Sequence, residues 1–520
     1  MIGRRTLLSV AAALPVGAAA FAATSPVAQT RTGKVRGVTD QGIQVFKGIP
    51  YGDDTRARRF RPALPAKKWD GIRDALSYGP ASPQSRDPGP TSEDCLYLNV
   101  WTPSVADKKR RPVMVYFHGG EFSNGSGSDP IYDGVNLCRH GDVVVVTVNH
   151  RLAVLGHLFL TKLAGPDFAV SGNVGILDLV LALQWVRDNI ANFGGDPGCV
   201  TVFGQSGGGA KIATLMAMPA AKGLFHRAIT MSGQQVTASS PNAATVRTLA
   251  FLDKLKVPKE RAADVASLPL DQLIAAMATP DPTVPRSHLY WGPVLDEAAL
   301  LRHPFYPDAP EQSHNIPMMI GNTLDETRFF FRNDASVFAL TWDTLPARLA
   351  IELRVDIDAD MVLAEYRKLY PAANPVEIYF AATTAGRSWR GALIEAEMRA
   401  ISGAPVFMYQ LNWRSPIDGG IYGASHTLDI PLAFRNTAQS NSLSGNSTDA
   451  RAVSEQISNA FLSFARTGNP NHTGIPAWTP YELNTRQTML FNIPPELASD
   501  PRGDERRLFA KVPFIQKGTF

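Results

Sequence analysis

Residues 199–218 read CVTVFGQSGGGAKIATLMAM, and the fold turns on them. A β-branched run, 199–203, leads at once into Gly204-Gln205-Ser206-Gly207-Gly208, the chain's only G-x-S-x-G, and then into a helix-like stretch over 210–218. A sharp turn between strand and helix forces the residue at its apex into strained dihedrals that only small neighbours tolerate, hence glycine on both sides of Ser206. Taken alone the motif is weak. Its placement between strand and helix makes it a nucleophile elbow. Two rival uses of the glycines fail: no G-x-x-x-x-G-K-[ST] exists for a phosphate loop, and Gly207-x-Gly209 lacks the third glycine of a dinucleotide fingerprint.

Outward from the elbow, similar β-branched runs recur at 113–117, 143–148, 227–231, 316–320 and 406–411. None alternates strictly between apolar and polar residues, which suits strands buried on both faces of a mostly parallel sheet in an α/β protein. Glycine or polar residues follow each run. In open α/β sheets the ligand crevice lies beyond the carboxyl ends of the strands, so chemistry is expected in those trailing segments. Helical spacing over 177–190 around Trp185, ahead of a 192–197 loop, supplies a covering helix. Two helical excursions, near 242–279 and 341–398, interrupt the strand series and are expected to roof the crevice. No Ser/Gly/Pro linker sets either apart, so residues 23–520 read as one domain. Residues 437–449, rich in Ser and Asn, read as a mobile loop.

Composition agrees with a large folded protein: 520 residues, 44% hydrophobic and 19% charged. The formal charge of +4 from 51 basic and 47 acidic side chains is small for this length and speaks against nucleic-acid binding. Residues 1–22 differ from the rest. Arg4 and Arg5 precede an alanine-rich run that ends in Ala20-Phe21-Ala22, a small-x-small cleavage pattern, so an export signal is expected and a mature chain from about Ala23. The paired arginines favour the twin-arginine route over an ordinary secretory one, and the destination is periplasmic or extracellular. No later run reads as long and apolar enough to span a membrane, and none is expected to insert. Cys95, Cys138 and Cys199 cannot all pair and lack metal-site spacing, so they read as small core residues, with one bridge between two of them left open.

A serine hydroxyl needs a base, and the base needs an acid to fix its tautomer. On this fold their order is Ser, Asp or Glu, His. With an acid after the 316–320 run, only His426 and His472 remain of ten histidines. His472 sits in a turn-rich surface setting, whereas His426 follows a strand by a loop of small residues, Gly423-Ala424-Ser425, that presents a side chain at the crevice. For the acid, Asp325 and Glu326 are adjacent. Position alone leaves the choice open. The tetrahedral intermediate also needs backbone N–H donors, and His118-Gly119-Gly120-Glu121, after the 113–117 strand, is of the type that supplies them, with Gly207 N–H adding another.

These residues resemble the type-B carboxylesterase and cholinesterase-like family of the α/β-hydrolase fold. The resemblance extends through Phe46-Lys47-Gly48-Ile49-Pro50-Tyr51-Gly52, Ser92-Glu93-Asp94-Cys95-Leu96-Tyr97-Leu98-Asn99-Val100, Asn149-His150-Arg151-Leu152, Phe193-Gly194-Gly195-Asp196-Pro197 and Phe464-Ala465-Arg466-Thr467-Gly468-Asn469-Pro470. It implies Ser206 as nucleophile, Glu326 as acid, His426 as base, and Gly120, Glu121 and Gly207 as oxyanion donors. It also implies an acyl-enzyme mechanism on a small-molecule ester, with no metal or organic cofactor. Leu289-Tyr290-Trp291 resembles the family's acyl-pocket stretch, so Leu289 and Trp291 are expected to bound the acyl group. Three departures stand out. Gln205 and Gly207 replace the Glu and Ala of the family's GESAG, Ser82 stands where disulfide-bearing members place the partner of Cys95, and Glu121 replaces a small residue of the oxyanion loop. The Glu121 carboxylate either turns away to a basic or amide partner or lines the pocket and attracts cationic or hydroxyl-rich substrates. The contrasting expectation for the whole chain is a catalytically silent binding protein on the same fold.

Overall fold

The computed structural model describes residues 25–353, 355–516, 518 and 519, so the expected export signal lies outside the described residues. Seven strands run parallel: β1 (Arg111–Phe117), β2 (Val144–Val148), β3 (Gly195–Gln205), β4 (Arg227–Met231), β5 (Met318–Thr323), β6 (Val406–Leu411) and β7 (Gln487–Phe491). Their spatial order is β7-β6-β5-β4-β3-β1-β2 within an eleven-stranded sheet. Antiparallel strands finish both edges: Glu496–Ser499 beyond β7, and Tyr97–Thr102, Ile43–Pro50 and Val38–Asp40 beyond β2. β3 begins earlier than the sequence suggests. Gly195 pairs with Arg111, and a register break before Val113 absorbs the extra residues.

Burial on both faces explains the unbroken apolar runs. Along β1, Val113, Val115 and Phe117 pack on one face against helices α1 (Val174–Asn189) and α2 (Gly207–Ala217). Met114 and Tyr116 face the other way, against the helices Asp429–Phe434 and Thr448–Thr467. Each large apolar side chain so buried contributes about 1.5–3 kcal/mol relative to exposure. The fold is the α/β-hydrolase fold, with helices on both faces of its sheet.

One expectation about apolar length needs correcting. The stretch Pro166–Phe193, which contains α1, is long and apolar enough to cross a membrane, with an 18-residue window of mean hydropathy 1.5. Of that window 72% is buried inside the protein, which is the situation of a core helix. The residues 437–449 read as a loop run into the first turn of the helix that begins at Thr448.

The two excursions differ in what they cover. The first forms Pro241–Lys254, Lys259–Ser267 and Leu270–Ala276, which pack on Phe60, Leu155 and Phe168 at the side of the sheet, and it contributes nothing to the central cavity. The second forms Leu345–Glu352, Ala359–Leu369, Pro375–Thr384 and Arg390–Ile401. Asn374 and Glu377 start the third of these with a reciprocal capping box, and a π-helical turn, Ala385–Trp389, joins it to the fourth. Wide turns of this kind recur at functional sites. Here Gly386, Arg387 and Ser388 line the cavity.

Candidate active site

β3 ends at Gln205, and α2 begins at Gly207. Between them Ser206 has φ +56° and ψ −124°, a conformation that L-residues rarely adopt. Its N–H donates to Met231 O at 2.7 Å, which ties the turn to the end of β4. The glycines are required by contact. A Cβ on Gly208 would lie 1.9 Å from Phe117 O, and one on Gly204 would lie 2.7 Å from the same atom. The half-buried Ser206 therefore sits at the floor of a cavity of about 140 Å³ with Gly207, His426 and Glu121 in its lining.

The candidate acid and base follow β5 and β6. Glu326 follows β5 and is fully buried; its Oε2 lies 2.5 Å from His426 Nδ1, and its Oε1 accepts the Thr323 N–H at 2.8 Å. Burial pushes this carboxyl up, but the attraction of His426 and the hydrogen bonds it receives outweigh that and hold it below the usual glutamate range. Asp325 points elsewhere. Its Oδ2 accepts Ala424 N–H at 3.0 Å, its own N–H donates to Ala424 O, and Arg414 Nε lies 3.4 Å away. Adjacent carboxylates thus do two tasks: one meets the imidazole and the other fastens the loop that carries it. His472 lies in its surface loop with Nε2 on Gln456 O, apart from the cavity.

With Nδ1–H given to Glu326, His426 Nε2 carries the lone pair. That nitrogen is 3.2 Å from Gln205 Nε2, which donates to it. Ser206 Oγ has no hydrogen-bond partner among the described residues, and its hydroxyl shares the cavity lining with His426. The Gln205 contact with the base has a sequence signal, the departure from GESAG, but its partner was not legible there.

The oxyanion loop follows β1. Gly120 has φ +86° and Glu121 φ +54°, both left-handed, and Gly120 O accepts from Ser123 N–H and Asn124 N–H. A Cβ on Gly207 would lie 2.2 Å from Glu121 O and 2.5 Å from Glu121 N. The oxyanion loop therefore packs directly on the elbow: Glu121 backbone occupies the space that an alanine at 207 would take. The exposed Glu121 side chain lines the cavity and makes no hydrogen bond or ion pair among the described residues. Burial first, and then the Glu121 charge, push the Tyr290 phenol up, which fits a carboxylate inside the cavity and not one held outside it.

Leu289 and Trp291 are not brought to the site. Both are buried in the side cluster, where Trp291 meets the Phe251 ring edge-on at 5.6 Å. Alternate residues of an extended segment face opposite ways, so it is Tyr290 that lines the cavity. The sequence also missed two other walls: Phe330 from the short helix after Glu326, and Phe514, Ile515 and Gln516 near the C-terminus. Neither has a periodic pattern that would have revealed it.

The three cysteines are free among the described residues. Burial pushes the Cys95 thiol up, the hydrogen bond with Ser82 is among the contacts that oppose it, and Ser82 Oγ accepts Leu152 N–H at 3.1 Å. Where a second cysteine would form a bridge, a hydroxyl serves the backbone instead. No three His, Cys, Asp or Glu side chains cluster as a metal site would require among the described residues.

An α/β-hydrolase sheet carrying a serine elbow and a buried carboxylate–imidazole pair defines a hydrolase, and the chain belongs to the carboxylesterase family, whose model matches residues 24–508. It is a carboxylesterase, an enzyme that acts on ester bonds of small molecules. Among its relatives, the para-nitrobenzyl esterase of Bacillus subtilis is 35% identical over 93% of this chain and 98% of its own length. The phenmedipham hydrolase of Pseudarthrobacter oxydans is 33% identical over 89% of this chain and 94% of its own. Among solved structures, the carboxylesterase EST55 of Geobacillus stearothermophilus superposes with a TM-score of 0.83 at 38% identity, covering 92% of this chain and 99% of that one.

Proposed function

We propose that the enzyme cleaves carboxylic esters through an acyl-enzyme on Ser206. His426 Nε2 takes the hydroxyl proton as Ser206 Oγ bonds to the scissile carbonyl carbon. The oxyanion so formed accepts N–H groups of Gly120, Glu121 and Gly207. When the intermediate collapses, the imidazolium returns the proton to the departing alcohol, and water then repeats the sequence on the acyl-enzyme. Glu326 holds the Nδ1–H tautomer throughout. The observation that carries this assignment is the 2.5 Å contact between His426 Nδ1 and the buried Glu326, beside a serine in nucleophile-elbow geometry. Ser206→Ala is expected to abolish turnover of para-nitrophenyl butyrate and covalent labelling by a fluorophosphonate probe. Retention of either assigns the nucleophile elsewhere.

The cavity supports short acyl groups. Its volume of about 140 Å³ and its Phe122, Phe330 and Phe514 walls suit a few carbon atoms on the acyl side. Glu121 in the wall favours esters that carry a cation or hydroxyl groups. A panel varying acyl length and alcohol charge tests both.

Export is proposed on the strength of the Arg4-Arg5 pair, the apolar run after it and a family match that begins at residue 24, just past the expected cleavage site. Amino-terminal sequencing of enzyme from the periplasm or medium is expected to read from about Ala23.

A further inference from the structure

The oxyanion loop is a strained object that something must hold. Gly120 and Glu121 are left-handed in succession, and a non-glycine residue in that region costs about 1–3 kcal/mol unless its surroundings fix it. Several contacts do so near its end, since Gly120 O takes two N–H groups. Its beginning is held differently. Lys211, one turn into α2, is fully buried, and its Nζ donates to His118 O at 2.8 Å. A lysine at 0% exposure with no carboxylate beside it is costly, so its presence calls for a reason beyond packing.

The surroundings of Lys211 sharpen the point. Three buried imidazoles face it: His118 stacks on His150 at 5.1 Å between ring centres, and His157 lies against Phe122. Each gives Nδ1 to a backbone carbonyl, of Gly119, Arg151 and Gly172 respectively, and each leaves Nε2 without a partner among the described residues. The charged pair nearby, Arg151 with Asp178, is closed on itself at 2.6 Å. Burial brings the Lys211 ammonium down to about 7, with no acid to resist it. Among the described residues, Nζ meets the carbonyl oxygen of His118 and, at 6.0 Å, the face of the Phe122 ring, but no carboxylate.

We propose that Lys211 is a positioning residue for ester hydrolysis: by donating from Nζ to His118 O it clamps the start of the oxyanion loop to the nucleophile helix, so that Gly120, Glu121 and Gly207 N–H groups converge on one point above Ser206. The clamp joins the two halves of the site, because His118 begins the loop and Lys211 is five residues after the nucleophile on the helix that the nucleophile starts. It acts on a charge that develops only in the transition state. Its removal therefore weakens the transition state more than the bound substrate. The proposal rests on the assignment of Ser206 and the oxyanion donors made above.

Lys211→Met removes the donor and keeps the length of the stem; Lys211→Gln retains a neutral donor. For both, kcat and KM on para-nitrophenyl butyrate, the inhibition constant of an alkyl boronic acid that mimics the tetrahedral intermediate, and Tm are measured on the full chain. Expected for Lys211→Met is a fall in kcat of about 10–100-fold with KM within about threefold, boronate binding weakened by the same factor as kcat, and a Tm at or above that of the wild type. Lys211→Gln is expected to recover part of the loss. A folded Lys211→Met enzyme with kcat and boronate affinity within about twofold of wild type overturns the proposal, as does a loss of activity that follows Tm while the boronate loses no more affinity than the substrate. If Lys211→Met does not fold, Lys211→Leu, which also lacks a donor, carries the same criteria. Full activity of Ser206→Ala would overturn the underlying assignment and this proposal with it, whereas a null result confined to Lys211 leaves that assignment intact.

Discussion

Two groups of buried histidines flank Ser206, and they are built on opposite electrostatic terms. On the side of β5, His426 meets Glu326 at 2.5 Å, and that carboxyl is held below its usual range despite complete burial. On the side of β1, His118, His150 and His157 are as deeply buried but have no acid, only carbonyl oxygens on Nδ1 and the Lys211 ammonium as neighbour. Burial, and after it mostly the charge of Lys211, hold His118 and His150 well below the ordinary histidine range. Burial alone brings most of the drop in His157, to about 3. The comparison teaches that the carboxylate, not the imidazole, distinguishes a base from scaffolding. A buried histidine without an acid stays neutral and structural, whatever its distance from a nucleophile.

Removing the acid breaks the comparison most directly. Glu326→Gln leaves His426 with the wrong tautomer preference and no counter-charge for its imidazolium, so kcat on para-nitrophenyl butyrate is expected to fall about 10³–10⁴-fold. Asp325→Asn weakens only the fastening of Ala424 and is expected to cost about tenfold or less. A larger loss in Asp325→Asn than in Glu326→Gln would transfer the acid role to Asp325. On the other side, Gly207→Ala puts a methyl group where Glu121 backbone lies and is expected to lower kcat roughly 10–100-fold by pushing the oxyanion loop away. The double variant Gly207→Ala with Glu121→Gly, which restores the small loop residue, is expected to regain part of that loss. Strict additivity of the two changes would show that the contact does not couple them.

How much of this was legible in the sequence follows from which contacts are local. The elbow and the parallel strands are written in contiguous motifs, because a strand-to-helix turn with glycines on both sides must be continuous in the chain. The choice of Glu326 over Asp325 was open from position alone, since which of two neighbours reaches His426 depends on the path of a loop a hundred residues later. Leu289 and Trp291 were expected at the acyl pocket, but extended-chain alternation turned them into the side cluster and brought Tyr290 forward. The clamp at Lys211 had no sequence signal at all: its partner is a main-chain oxygen 93 residues away, and backbone acceptors carry no residue identity. The roof was half legible, because helical excursions can be counted in sequence while the irregular segment at 514–516 cannot.

The acid-bearing side can be sharpened by adding a second carboxylate. Gln205 Nε2 lies 3.2 Å from the lone-pair nitrogen of His426, so Gln205→Glu sets a negative charge there and favours the imidazolium. The acid limb of kcat/KM is expected to move upward by about one pH unit, roughly 1.4 kcal/mol, with kcat at pH 9 within about tenfold of wild type. An unmoved limb would mean that Gln205 does not face the base during turnover.

The smallest effect belongs to the side without an acid and is read in stability. Lys211 has its ordinary value of 10.5 lowered to about 7 by burial, so in the folded protein it gives up its proton before the unfolded chain does. Below about pH 7 both states are protonated and the cost of burying the ammonium is present in full. Between about pH 7 and 10.5 the unfolded chain holds one proton more, so this residue's contribution to stability rises with pH. Lys211→Met has no such dependence. Its Tm advantage over wild type is therefore expected to be largest near pH 6 and to shrink as pH approaches 10. Parallel Tm profiles for the two proteins from pH 6 to 10 would place a compensating anion or solvent beside Nζ and make the acid-free side of the site resemble the other more closely than its side chains indicate.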